Sequence, residues 1–274
     1  MPGEFPRRIE PVFHDKVWGS PRIEPWFAPR ADHQTGEVWF AAGHLLIKFL
    51  FTSENLSIQV HPGDDYAARH ENSRGKSEMW HILRAEPGAK IAAGFRAPLT
   101  QDRLREAAST GAIMDLLNWI EVAPGETYFI PAGTVHAIGS GIVLCEIQQN
   151  SDVTYRLYDY GRPRELHLEK AVQVAILDRY PGKTIPCNLG NGVELLVDSP
   201  FFRTLRADVT QPGTVHGRYV IVIEGAGRLN GLPARAGQVW EQREDCPWSV
   251  EPAPNSSGPF RILLTTGHEV PRVV

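Results

Sequence analysis

The chain has 274 residues, 42% of them hydrophobic and 22% charged, with a formal net charge of −4. That length buries a real core and suits one large β domain or two small ones, and the composition is ordinary for a soluble globular protein. The acidic balance has no basic run within it, which argues against a nucleic-acid partner, because phosphate-backbone binding takes clustered Lys and Arg.

In chain order, residues 1–10 carry charges and prolines but no apolar core of a secretion signal. Residues 45–61 read as two extended runs parted by Thr52-Ser53-Glu54-Asn55. The first of them, 45–51, is the most apolar stretch of the chain, yet it is short and contains Lys48, so no membrane span is expected. A short strand follows at 79–83. Leu104, Ala107 and Ala108 then repeat at helical spacing, 113–119 continues the pattern, and Thr100 is placed to cap it; a helical segment of about 98–120 is expected. Strands return at 127–130, 142–147 and 154–160. A second helix is expected at 166–177, with Leu168, Ala171, Val172 and Ala175 on one face. Residues 180–191 read as a linker, and hairpin-rich strands resume at 219–223 and 238–240. Short strands broken by the 22 prolines and 25 glycines imply a mainly β chain of two units, 1–180 and 188–274. Cys145, Cys187 and Cys246 show no CxxC spacing, which fits a reducing cytoplasm.

Three clusters stand out. In Ser57-Ile58-Gln59-Val60-His61-Pro62, Ser57, Gln59 and His61 share one face of a strand, and Pro62 holds His61 extended. An outward-facing polar face explains that run equally well. In Gly75-Lys76-Ser77-Glu78-Met79-Trp80, Lys76 and Glu78 share a face, as a surface ion pair or as a site. In Pro131-Ala132-Gly133-Thr134-Val135-His136, a Pro-x-Gly turn aims His136. Together they offer two imidazoles, a carboxylate and an amide oxygen without thiolate, a donor set for Zn²⁺, Fe²⁺, Mn²⁺, Co²⁺ or Ni²⁺. Thr154, Arg156 and Tyr158 would share a further strand face; Arg156 suits phosphate or carboxylate, or a salt bridge to Asp152 or Asp159. His216, His268, Glu224 and Glu241 show no ligand spacing, so the second unit is expected to be metal-free.

Residues 125–136 resemble the second cupin motif, with Ser140 where its asparagine is expected. The first motif departs from the usual pattern: Gln59 stands in place of a histidine, and Glu78 lies seventeen residues beyond His61. Gln-x-His-Pro, Gly-Lys-x-Glu-x-Trp and Pro-Ala-Gly-x-x-His-Ala in this order resemble the type I mannose-6-phosphate isomerases. Val17-Trp18-Gly19, Gly36-Glu37-Val38-Trp39 and 148–162 extend the likeness. It implies a bicupin, two jelly-roll barrels with a small helical segment, and one Zn²⁺ per chain on Gln59, His61, Glu78 and His136. It also implies active-site roles for Lys76 and Arg156, with Ser57, Lys48, Glu146, Asp152 and Arg162 as weaker substrate or phosphate contacts. The implied reaction interconverts mannose 6-phosphate and fructose 6-phosphate through a cis-enediol, in a cytoplasmic monomer or homodimer. Two other readings compete: a metal- or sugar-phosphate-binding cupin without activity, and a non-haem iron oxygenase using His61, His136 and Glu78 as its triad. The chain is short beside the compact family members, so a reduced helical part is expected.

Overall fold

The computed structural model describes residues 5–243, 245–254 and 258–268. Its strands form four sheets in two double-sheet units, the expected mainly β, bicupin plan. In the first unit a six-stranded sheet runs Val12–Ser20, Thr35–Ala42, Leu45–Phe51, Ile142–Gln149, Glu78–Ala85, Thr127–Ile130. It faces a five-stranded sheet ordered Tyr155–Tyr158, Ile58–Val60, His136–Ile138, Lys90–Phe95, Leu117–Glu121. The second unit pairs a seven-stranded with a four-stranded sheet. One strand crosses between units: Arg7–Ile9 pairs antiparallel with Val239–Glu241 and so extends the seven-stranded sheet.

Period-two alternation decides what each face does. In Leu45–Phe51, Leu45, Ile47, Phe49 and Phe51 pack toward the second unit, against Phe202, Tyr219, Ile221 and Leu263. Leu50, on the opposite face with Lys48, packs in the first barrel with Trp18, Trp80, Ile82, Ile91, Ile138 and Leu144. The first barrel is thus apolar at one end, while Lys48, Glu146, Gln148, Glu78 and His136 crowd the other, all buried. The second barrel is filled by Val220, Val222, Leu229, Trp248, Val250, Phe260 and Ile262, an apolar plug.

Helices cover the back of the small sheet. Gln101–Thr110 starts where expected: the Thr100 hydroxyl accepts the Arg103 N–H at 3.2 Å, and Leu104, Ala107 and Ala108 are buried. The expected helical run ends early, because Ile113–Leu116 is one turn and Leu117–Glu121 is a strand paired with Lys90–Phe95. Trp119 packs against the helix side and Ile120 into the barrel, so alternation across a sheet overrides the helical spacing. The second helix is shorter than 166–177, spanning Leu168–Val174 with Ala171 and Val172 buried. It stops because Ala175 is extended and Ile176 N–H donates to the Gly133 carbonyl at 2.7 Å. A helix at Asp64–Glu71 lies outside the expected elements, and the segment read as a linker holds the edge strand Cys187–Gly190.

Candidate metal centre

Cross-strand register sets three side chains in a row on the small sheet: Gln59 pairs with His136 on one side and Arg156 on the other. On the large sheet Glu146 pairs with Lys48 and Trp80, and Gln148 pairs with Glu78. His61 follows its strand directly and is locked at both neighbours: its carbonyl accepts Gly133 N–H at 2.8 Å, and the Pro62 carbonyl accepts Lys76 N–H at 3.0 Å. Gly133 sits at φ +88°, where a β-carbon would stand 2.9 Å from the Val174 carbonyl oxygen, so only glycine makes this turn without displacing its neighbours. The three sequence clusters therefore converge in one lumen.

Each imidazole donates Nδ1–H to a backbone carbonyl, His61 to Val153 and His136 to Thr134, both at 2.9 Å. A carbonyl can only accept, so the tautomer is fixed and each Nε2 keeps a lone pair for the lumen. His61 Nε2 lies 3.5 Å from Glu78 Oε2, and His136 Nε2 lies 3.5 Å from Glu78 Oε1. The Gln59 amide is 3.3 Å from His136 Nε2. With bonds of about 2.05 Å to a tetrahedral ion, neighbouring donors stand about 3.3 Å apart. The His61, Glu78 and His136 donor atoms all lie within 4.8 Å of one another. Among the described residues, His61 Nε2 and Glu78 Oε2 are buried without a hydrogen-bond partner. Facing one another in a buried pocket, these atoms leave room for a cation between them, and the donor set fits a divalent ion.

The electrostatics agree. Burial lowers the affinity of His136 for a proton, to a pKa of about 4, and takes His61 well below its ordinary value, so both rings are neutral. Burial, then Glu146, raises Glu78 to about 8 in the metal-free chain. It is one of four ionisable groups in two pairs: Lys76 Nζ is 3.4 Å from Glu78, and Lys48 Nζ is 3.1 Å from Glu146. Burial opposes ionisation of Glu146, yet Lys48 and Lys76 outweigh it and hold the carboxyl below its usual range; Trp80 Nε1 donates to it at 2.9 Å.

The remaining expected contacts separate. Ser57 is buried and its hydroxyl donates to Gln59 Oε1 at 3.1 Å. Arg156 makes no ion pair with Asp152 or Asp159 among the described residues. Its Nε is buried without a partner, while Asp159 takes a bidentate pair from Arg164 at 2.6 and 2.7 Å. Arg162 donates to the Asn55 carbonyl and keeps Nη1 unbonded 3.7 Å from Asp159. Asp152 is exposed at the rim. Sequence reasoning missed the aromatic contacts beyond Lys48: its ammonium lies 4.8 Å from the Trp39 ring, and the His14 ring packs on that ring at 4.1 Å, tilted by 39°. The placing of Trp39 on the strand next to Lys48, and of His14 on the strand beyond it, was the signal available.

No family model matches the chain. It is 33% identical to a mannose-6-phosphate isomerase of Streptococcus mutans, over 80% of this chain and 87% of that protein. It is 35% identical to mannose-6-phosphate isomerase ManA of Bacillus subtilis, over 64% of this chain and 70% of that one. The crystal structure of the mannose 6-phosphate isomerase from Bacillus subtilis superposes with a TM-score of 0.85 at 27% identity, covering 95% of this chain and 99% of that one. With sequence and fold in agreement over most of both chains, this protein belongs to the mannose-6-phosphate isomerase family.

Proposed function

We propose that the chain interconverts mannose 6-phosphate and fructose 6-phosphate by proton transfer between C1 and C2 of the open-chain sugar, at one divalent ion held by Gln59, His61, Glu78 and His136. Zinc is the first choice, since two imidazoles, a carboxylate and an amide suit it without excluding iron, manganese or cobalt. A half-turn of the Gln59 amide brings Oε1 toward the ligand set and leaves Nε2 to donate to Ser57. The bound ion supplies Lewis acidity toward the carbonyl and hydroxyl oxygens of the substrate. Lys76, beside Glu78, is the candidate to carry the proton. Arg156 has a buried donor with no partner among the described residues, and donating to the enediolate oxygen or the phosphate would satisfy it. Lys48, Ser57, Arg162 and Asp152 are assigned to orienting the hydroxyls and the phosphate.

One observation carries the reading: paired donors from separate strands stand 3.3–3.5 Å apart with their tautomers already set. Charge supports it. Lys48 and Lys76 balance Glu78 and Glu146, so a divalent ion leaves the pocket at +2, matched to a phosphate dianion. Gln59 counts against the oxygenase reading, because an amide fills a position that oxygen would need. Residues 1–180 are assigned as the catalytic unit and 188–274 as its apolar-cored support. No helix among the described residues is long and apolar enough to cross a membrane, and we place the protein in the cytoplasm as a monomer or homodimer.

The test is a coupled isomerase assay on mannose 6-phosphate before and after chelation, with zinc, manganese, cobalt or iron restored singly. Activity should vanish with the metal and return with one ion. Full turnover in protein stripped of metal would overturn the mechanism.

A further inference from the structure

The metal centre is assembled from three stretches of chain: 76–78 and 131–136 are bonded to each other at Ser77, which is 1% exposed, and 59–62 joins them through Gly133 and Lys76. The Ser77 N–H donates to Gln149 Oε1 at 2.8 Å, and its carbonyl accepts the Gln149 backbone N–H at 3.1 Å. Its hydroxyl oxygen accepts Ala132 N–H at 3.1 Å, one residue before the glycine that holds His61. Gln149 is fixed at its other end too. Its Nε2 donates to Asp64 Oδ1 at 3.1 Å, and the same oxygen accepts Gly75 N–H at 2.8 Å. Neither side-chain bond survives a flipped amide, since oxygen would then face the carboxylate and nitrogen the Ser77 N–H. The side chain thus bridges the start of the Asp64–Glu71 helix and the backbone between Lys76 and Glu78.

We propose that Gln149, anchored by Asp64, is a positioning residue for the metal centre: through Ser77 it sets where Lys76 and Glu78 stand relative to His61 and His136. Ligand atoms need placement to about 0.5 Å. The donors themselves stand on different strands, and this knot of backbone bonds is the short connection among 76–78, 131–133 and 61. It lies one residue from Glu78 on one side and one from Lys76 on the other. The inference rests on the metal site proposed above.

A charge swap tests it. Gln149→Glu keeps an oxygen for the Ser77 N–H but sets a second carboxylate against Asp64. Asp64→Asn costs less, because Oδ1 can still take both bonds. In the double variant D64N/Q149E, the amide nitrogen introduced at position 64 donates to the carboxylate introduced at position 149, while the amide oxygen keeps the Gly75 N–H. The bridge is then restored with its polarity reversed. Zinc affinity is read on the full chain by competition with a chromophoric chelator, alongside kcat and KM for mannose 6-phosphate. Q149E should bind zinc about 10–100-fold more weakly, with kcat falling more than KM rises, and D64N/Q149E should recover both. Melting of the metal-free proteins reports whether Q149E folds; if it does not, the double variant carries the test against wild type. Wild-type zinc affinity in Q149E, or a double variant no tighter than Q149E, overturns the role of Gln149. Failure of the wild-type chain to hold zinc overturns the metal site instead.

Discussion

Replacing Glu146 by Gln strips one charge from a buried pair and leaves its shape. Lys48 is 3% exposed and its ammonium stands 3.1 Å from the carboxylate. At an effective dielectric of 20, that attraction is about 5 kcal/mol. The variant's lysine keeps Glu37 and Glu78 as more distant countercharges. It can also escape by losing its proton, which at pH 7 costs about 4.6 kcal/mol from an unfolded pKa near 10.4. Both figures are ceilings on the loss, and breaking buried pairs at one end costs about 3–5 kcal/mol; about 4 kcal/mol is expected. The pH dependence follows. With its partner gone, Lys48 titrates lower in the folded than in the unfolded chain. The penalty is full below the folded value and fades as pH rises toward the unfolded one, reaching about 2 kcal/mol at pH 9. Urea unfolding of wild type and E146Q, with chelator present so that metal binding does not enter, measures both. A difference under about 1 kcal/mol at pH 7, or one that does not shrink at pH 9, would refute the claim that Lys48 depends on this carboxylate.

Two further outcomes are expected. Arg156→Ala should lower kcat/KM about 100-fold or more, and Arg156→Lys should not restore it, because an ammonium lacks the guanidinium fork; an unchanged kcat/KM removes Arg156 from transition-state binding. His81 is held at about 3 by burial and then by Arg206 and Arg261. The unfolded chain takes up that proton first, so stability falls as pH drops below about 6.5. Wild type should lose about 2 kcal/mol between pH 6.5 and 5 that His81→Gln keeps, and equal slopes would clear His81 of any part in acid lability.

The convergence of the candidate ligands was legible because local devices announce them. Pro62 fixes one backbone angle, and the Pro131–Gly133 turn can be made by few other sequences. The donors then need only a barrel to bring them together. The knot around Ser77 was not legible: Gln149 reads as one more polar residue at the end of an apolar strand, and its partners lie 72 and 85 positions away. Residues 113–119 misled because Leu116, Trp119 and Ile120 satisfy helical spacing, whereas pairing with Lys90–Phe95 sends Trp119 and Ile120 to opposite faces. In the crossing strand Arg7–Ile9, Arg7 has its partner Glu241 234 positions on in the chain, beyond the reach of any local pattern. Arg156 was placed correctly on its strand, but its lack of a salt bridge emerged only when Asp159 proved to be taken by Arg164.

That crossing strand also governs how the molecule would respond to a cut. Residues 181–186, between the two units, are open to solvent at most positions, with Ile185 91% exposed. Cleavage there would sever the one covalent path between the halves without freeing either. The amino-terminal fragment would still hold a rung of the other's sheet, and Phe40, Phe49 and Phe51 would still be seated against Phe202 and Tyr219. A nicked enzyme should therefore migrate as two pieces in detergent yet behave as one particle in buffer. The order of synthesis is constrained as well: the strand Arg7–Ile9 must wait for its pairing partner until the ribosome has released residues 239–241.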